Sequence, residues 1–252
     1  SVNDESGAIF TIKGSVAVTS PNGGESWLIG SAQDVTWTRQ GSIGNLLIEY
    51  STDGGATYPY TITPSVATAL GTYTWNPVGD TQSTTFKVRV TSLSDGTVVD
   101  ASDSNARIKG SIALTSPVGA ETWLVGSAHN ITWTKVGSIP NVALEYSIDG
   151  GTTYPNSITT TSGEALSYGW TIPDAIGSQL RVRIRNTADA TVYSASGANF
   201  NIKGSFALTA PNGGEVYVVN STNDITWTYV GSIPNVKLEY SIDGGATYPN
   251  TI

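Results

Sequence analysis

Three pairs of carboxylates recur in this chain at one spacing: Glu49 with Asp53, Glu145 with Asp149, and Glu239 with Asp243. Two carboxylates flanking a bond are what glycoside hydrolysis uses, one as acid and one as base or nucleophile. Their recurrence in every copy points to scaffold, since a reaction seldom needs one active site per repeat. Asp100 and Asp103, and earlier Asp4 and Glu5, are oxygen ligands of the kind Ca²⁺ takes. Later in the chain Ser194 and Gly197 stand where Asp100 and Asp103 would recur, so such a site would be filled unevenly. His129 is the single histidine, which rules out His-rich zinc sites. It precedes a strand and reads as a solvated loop residue. Tyr58, Tyr154 and Tyr248, with Tyr60, follow the acidic turns and offer flat faces to a sugar ring; packing over the sheet edge is the plainer reading. Asn130 and Asn220 head glycosylation sequons. Arg181, Arg183 and Arg185, two apart, belong on the outer face of one strand as a solvated row. None of these groups calls for a cofactor.

The elements that must carry these residues are strands. Leu144-Glu145-Tyr146-Ser147-Ile148-Asp149-Gly150-Gly151 alternates and then turns, and it has close copies beginning at Ile48 and Leu238. Asp53, Asp149 and Asp243 cap backbone N–H groups of the turn, while Gly55, Gly151 and Gly245 supply positive φ. Val35 with Trp37, Ile131 with Trp133, and Ile225 with Trp227 point to one side, with threonines opposite. Phe86, Val88 and Val90 alternate with Lys87 and Arg89 in the same way. About seven such strands per repeat, each with one buried face, predict an all-β fold of tandem two-sheet sandwiches with almost no helix.

The repeats open at Gly14, Gly110 and Gly204, roughly 95 residues apart, the usual length of one sandwich. The expected division is 1–13 as a closing strand of a preceding repeat or a donor strand, 14–109 and 110–203 as two domains, and 204–252 as the first half of a third. The joints Lys13-Gly14-Ser15, Lys109-Gly110-Ser111 and Lys203-Gly204-Ser205 have little slack, which predicts an end-to-end rod. A net charge of −8 argues against nucleic acid. No run of 18 apolar residues is present to span a membrane as a helix. Cysteine and methionine are both absent, which removes disulfides and easy oxidation and suits an extracellular material.

Pro21-Asn22-Gly23-Gly24-Glu25-Ser26-Trp27, then Gly30 and Val35-Thr36-Trp37, resembles a signature of immunoglobulin/fibronectin-III-like repeats in large secreted and cell-surface proteins of bacteria and archaea. It is also similar to the Ser/Thr-rich cell-wall family that includes yeast glucan-assembly proteins. Pro211–Glu215 with Ile225-Thr226-Trp227 repeats it, and Pro117–Trp123 is a looser copy in which Val118 and Ala120 break the Asn-Gly-Gly turn. Ser51-x-Asp53-x-Gly55-x-Thr57 resembles the Asp-box of sialidases, a turn element remote from their catalytic centre. The first resemblance implies an immunoglobulin-like sandwich, an extracellular location, and a spacer, adhesion or assembly role.

The expected function is a non-catalytic structural repeat protein of the cell exterior: a rod, stalk or filament whose partners are copies of itself or flanking repeats. The alternatives are an adhesin or surface module that binds polysaccharide, and a spacer in a larger secreted hydrolase.

Overall fold

The computed structural model describes residues 3–252. They form two compact units. One runs to Ile112 and takes in Lys135–Pro140; the other consists of Ala113–Thr134 and Asn141–Ile252.

In the first repeat, alternation of apolar and polar residues builds nine strands: β1 (Ser15–Ser20), β2 (Ser26–Leu28), β3 (Gln33–Gln40), β4 (Leu46–Ser51), β5 (Tyr60–Val66), β6 (Thr72–Trp75), β7 (Ser83–Ser92), β8 (Val99–Ala101) and β9 (Ala106–Lys109). The count exceeds the seven expected because β2 and β8, three residues each, are too short to show a period. One sheet has the order β1-β3-β6 and the other β2-β9-β7-β4-β5, with β8 also paired to β7. β2 lies parallel to β9, while β7 is antiparallel to β4, β8 and β9. The edge from the first strands is therefore shared between the sheets, as in an immunoglobulin-like sandwich.

The core between these sheets is what the period of two predicts. Val35 and Trp37 from one sheet meet Ile48, Phe86, Val88 and Val90 from the other, all at most 3% exposed. Each such burial contributes about 1.5–3 kcal/mol. Trp27 on β2 meets Trp75 on β6 edge-on, ring centroids 6.3 Å apart. The indole N–H of Trp37 donates to the Thr68 carbonyl at 3.0 Å, so this buried polar group is satisfied.

The second repeat follows the same order: β10 (Ser111–Ser116), β11 (Thr122–Leu124), β12 (Ala128–Val136), β13 (Asn141–Ser147), β14 (Asn156–Ser162), β15 (Ser167–Thr171), β16 (Gly177–Asn186), β17 (Tyr193–Ala195) and β18 (Phe200–Lys203). Its sheets are β10-β12-β15 and β11-β18-β16-β13-β14, with β17 on β16. Two three-residue 3-10 turns, Thr68–Leu70 and Gly163–Ala165, are the helical elements among the described residues. Among the described residues no helix is long and apolar enough to cross a membrane.

In the third repeat β19 (Ser205–Ala210) pairs with β20 (Thr226–Val230), and β21 (Glu239–Tyr240) with β22 (Asn250–Thr251). Val216 and Val218, which correspond to positions in β2 and β11, are 91% and 75% exposed. Of the segment 1–13, Ser1 and Val2 lie outside the described residues, and the rest carries no strand.

Candidate functional site

The hairpin turns are built alike in all three repeats. Ser147, fully buried, accepts the N–H groups of Asp149 at 3.1 Å and Gly151 at 2.8 Å, and donates its own proton to Asp149 Oδ1 at 2.6 Å. Asp149 in turn accepts from the Thr153 N–H at 3.0 Å and from its hydroxyl at 2.6 Å. Ser51 with Asp53 and Thr57, and Ser241 with Asp243 and Thr247, make the same bonds. Both glycines of each turn have positive φ, 78° and 92° at Gly54 and Gly55. Bonds from the serine, then from the threonine side chain and backbone, hold Asp53, Asp149 and Asp243 well below the usual carboxylate range.

The glutamates are engaged separately. Glu145 Oε2 accepts from Arg183 Nε at 3.0 Å and Nη2 at 2.7 Å, and Glu145 Oε1 accepts from Arg185 Nη2 at 3.2 Å. Burial opposes ionisation of Glu145, but the bonds from Arg185 and Arg183 outweigh it and leave the carboxyl below its ordinary value. A general acid needs the opposite shift. Glu49 binds one arginine, Arg89, through Nε at 3.2 Å and Nη2 at 2.7 Å. The arginine row is therefore on the outer face as expected, but it is not a freely solvated face. Arg183 and Arg185 are ion-paired, and Arg181 donates to Asn199 Oδ1 at 2.8 Å.

The turn tyrosines join this network. The guanidinium of Arg89 lies over Tyr58, 4.3 Å from the ring centroid, and that of Arg183 lies over Tyr154 at the same distance. One face of each ring is thus covered by a cation. Tyr248 is 57% exposed. Tyr60 stacks on Tyr50, centroids 4.7 Å apart.

Asp100 Oδ2 accepts the Val18 N–H at 2.7 Å, at a bulge in the β1–β3 pairing. Ser194 Oγ does the same for Leu114 at 3.0 Å, which explains why Asp and Ser interchange at this position. Asp103 exchanges bonds with the Asn22 side chain, accepting at 2.8 Å and donating its N–H at 2.7 Å. Among the described residues no three of His, Asp or Glu group as a metal site would need. His129 corrects its expected placement. It lies inside β12, its ring stacked on Trp123 at 4.5 Å and its Nε2 3.0 Å from Ser127 Oγ. Asn130, also in β12, and Asn220 are exposed.

Sequence reasoning overlooked two buried serines. Ser102 and Ser196, each 3% exposed, break the closing strand into β8 and β9, and β17 and β18. Ser102 Oγ accepts the Val88 N–H at 3.0 Å and donates to the Pro21 carbonyl at 2.6 Å; Ser196 Oγ accepts from Val182 at 3.1 Å. Serine in a run of polar residues carries no outward signal of such a role.

The fold and these networks define a protein of tandem immunoglobulin-like β-sandwiches whose recurring polar residues serve turns, edges and strand pairing. No family model matches the chain. No curated sequence matches it either. Solved structures similar to it include the fibronectin(III)-like modules of Clostridium thermocellum CbhA (18% identity over 74% of this chain and 92% of that one, TM-score 0.25). Others are the titin domains z1z2 in complex with telethonin (15%, 77% and 98%, 0.24) and the N-terminal four Ig domains of Dscam1 isoform 6.9 (11%, 75% and 46%, 0.33).

Proposed function

We propose that the chain is a non-catalytic structural protein of the cell exterior in which sandwiches follow one another as a stiff rod or stalk. A recurring clasp carries this reading. Asp80 accepts the Ser138 N–H at 3.1 Å and its hydroxyl at 2.8 Å; Asp174 accepts the Ser232 N–H at 3.0 Å and its hydroxyl at 2.5 Å. Beside each clasp a glycine opens the next repeat, and a Cβ there would lie 2.6 Å from a carbonyl oxygen, Val136 O at Gly110 and Val230 O at Gly204. A carboxylate that accepts two bonds at a glycine-tight joint resists swivelling. Small-angle scattering from the whole chain should give a rod-like profile, and Asp80→Ala with Asp174→Ala should broaden the distances between spin labels placed in the first and third repeats. A flexible-bead profile that the substitutions leave unaltered would refute the rod.

A second reading, assembly through strands, has its own support. Phe10 and Ile12 are 73% and 87% exposed, whereas their sequence counterparts Phe200 and Ile202 are 0% and 1% exposed. Residues 8–12 of the segment 1–13 then serve as a closing strand for a sandwich supplied by a preceding repeat or another copy. Phe10→Asp should abolish concentration-dependent association in sedimentation if another copy supplies that sandwich; association that persists counts against it.

A further inference from the structure

Tyr50 and Tyr146 hold the same place in the first and second sandwiches, opposite Tyr60 and Asn156 in their hairpin ladders. In the first sandwich the Tyr60 ring stacks on Tyr50 at 4.7 Å with 18° between the planes, and the Tyr50 hydroxyl meets Thr81 Oγ1 at 2.6 Å. Tyr50 is consequently 6% exposed. In the second sandwich both partners are missing. Asn156 replaces Tyr60, and Ala175 follows Asp174 where Thr81 follows Asp80. Tyr146 keeps its tilted contact with Trp170 at 5.4 Å but is only half-buried. A cleft of about 380 Å³ opens beside it, bordered by Asn156, Ile176, Ser178, Gln179 and Leu180.

We propose that this cleft is a carbohydrate subsite, in which one pyranose ring of a polysaccharide lays its C–H face on Tyr146 where Tyr60 lies in the first sandwich. The volume falls in the range of small-ligand sites. The chemistry fits an amphipathic ring. Tyr146 offers an apolar face with a polar tip, while Asn156, Ser178 and Gln179 supply amide and hydroxyl groups that a wholly apolar guest would leave unpaired. Asn156 Nδ2 donates to the Tyr146 carbonyl at 3.2 Å, which anchors that amide at the rim. Asp174 also borders the cleft, but its carboxylate is held by Ser232, so selectivity falls to the neutral groups. This goes beyond a purely mechanical role and stands whether or not the repeats form a rod.

The test titrates the whole chain with β-1,4-linked glucose, mannose, xylose and N-acetylglucosamine hexasaccharides, read by tryptophan fluorescence and calorimetry. Saturable binding of at least one of them, with a dissociation constant of about millimolar or below, is expected. Tyr146→Ala should weaken it about tenfold, equivalent to about 1.4 kcal/mol. Asn156→Tyr should weaken it at least as much while the melting temperature holds or rises, because it rebuilds the stack of the first sandwich; it therefore decides the matter even if Tyr146→Ala fails to fold. No saturable binding of any of the four up to about 10 mM, or binding that Asn156→Tyr leaves intact, would overturn the proposal.

Discussion

Arg183 lies 4.3 Å above the Tyr154 ring while it donates two bonds to Glu145, so one guanidinium ties the hairpin turn to the centre of the sheet. Arg89 does the same between Tyr58 and Glu49 in the first repeat. A tyrosine after the turn thereby gains a partner that keeps the turn folded back over the strands. The Arg183 side chain is 30% exposed, so the stacking is partly screened by water. A double-mutant cycle of Tyr154→Ala and Arg183→Ala, followed by urea unfolding, should give a coupling of about 0.5–1 kcal/mol. Strict additivity would mean that the ring and the cation merely sit near each other.

Glu145 and Glu49 differ in their partners, and that difference is measurable. Glu145 neutralises two arginines and Glu49 one. Removing Glu145 leaves two neighbouring guanidiniums on one strand without their acceptor and close enough to repel. Glu145→Ala should therefore cost more stability than Glu49→Ala, by about 0.5–1 kcal/mol, and the gap should narrow in high salt. Equal costs at low salt would show that Arg185 contributes nothing at its longer contact.

Ala120 stands in the second repeat where Gly24 stands in the first, and both have positive φ, 70° and 85°. The loop is preserved despite the lost glycine because Glu121 accepts the N–H groups of Val118 at 2.8 Å and Gly119 at 2.7 Å, as Glu25 does for Asn22 and Gly23 at 2.7 Å each. For Glu25, burial opposes ionisation, but these backbone bonds lower its pKa overall. A left-handed alanine costs about 1 kcal/mol. Ala120→Gly should accordingly raise stability by up to about 1 kcal/mol. Gly24→Ala should lower it by a similar amount, since a Cβ there meets no atom within 4 Å and φ is the sole penalty. Leu166, at φ 58° where the first repeat has Gly71, should respond to glycine as Ala120 does. Chemical denaturation of the three variants checks this; a destabilised Ala120→Gly would show that the glutamate bonds already absorb the strain.

The strands and their buried faces were legible in the sequence because alternation at Val35–Trp37 or Phe86–Val90 is a local property of consecutive residues. The Ser147-Asp149-Thr153 turn was legible for the same reason, since its members lie within seven positions. The stacking of Arg89 on Tyr58 was not, because it joins residues on different strands and depends on a register that no single stretch encodes. Nor was the Tyr146 cleft: Asn156 and Ala175 look innocuous until pairing and packing bring both absences to one ring. His129 was misplaced by a strand that begins one residue before it, and that small shift of boundary turned a solvated loop residue into a partner for Trp123.

Acid should weaken the hairpin turns. Asp53, Asp149 and Asp243 have folded-state pKa values depressed below the unfolded value of about 3.9, chiefly by the serine two residues earlier. Their contribution to stability is therefore complete above about pH 4 and is lost as pH falls through the folded values, because the unfolded chain takes up protons that the native turns refuse. Other carboxylates, Glu145 among them, are depressed too, so the total acid sensitivity identifies no single turn. Ser147→Ala does. It removes the first cause of the shift at Asp149, and it strips an acceptor from the Asp149 and Gly151 N–H groups, which costs about 1 kcal/mol at neutral pH. With Asp149 returned toward its ordinary value, the variant has less left to lose in acid. The gap between the melting temperatures of the two proteins should therefore be widest near neutrality and narrow steadily as pH falls below about 4. Parallel curves over the whole range would mean that the serine positions the turn without tuning its carboxylate.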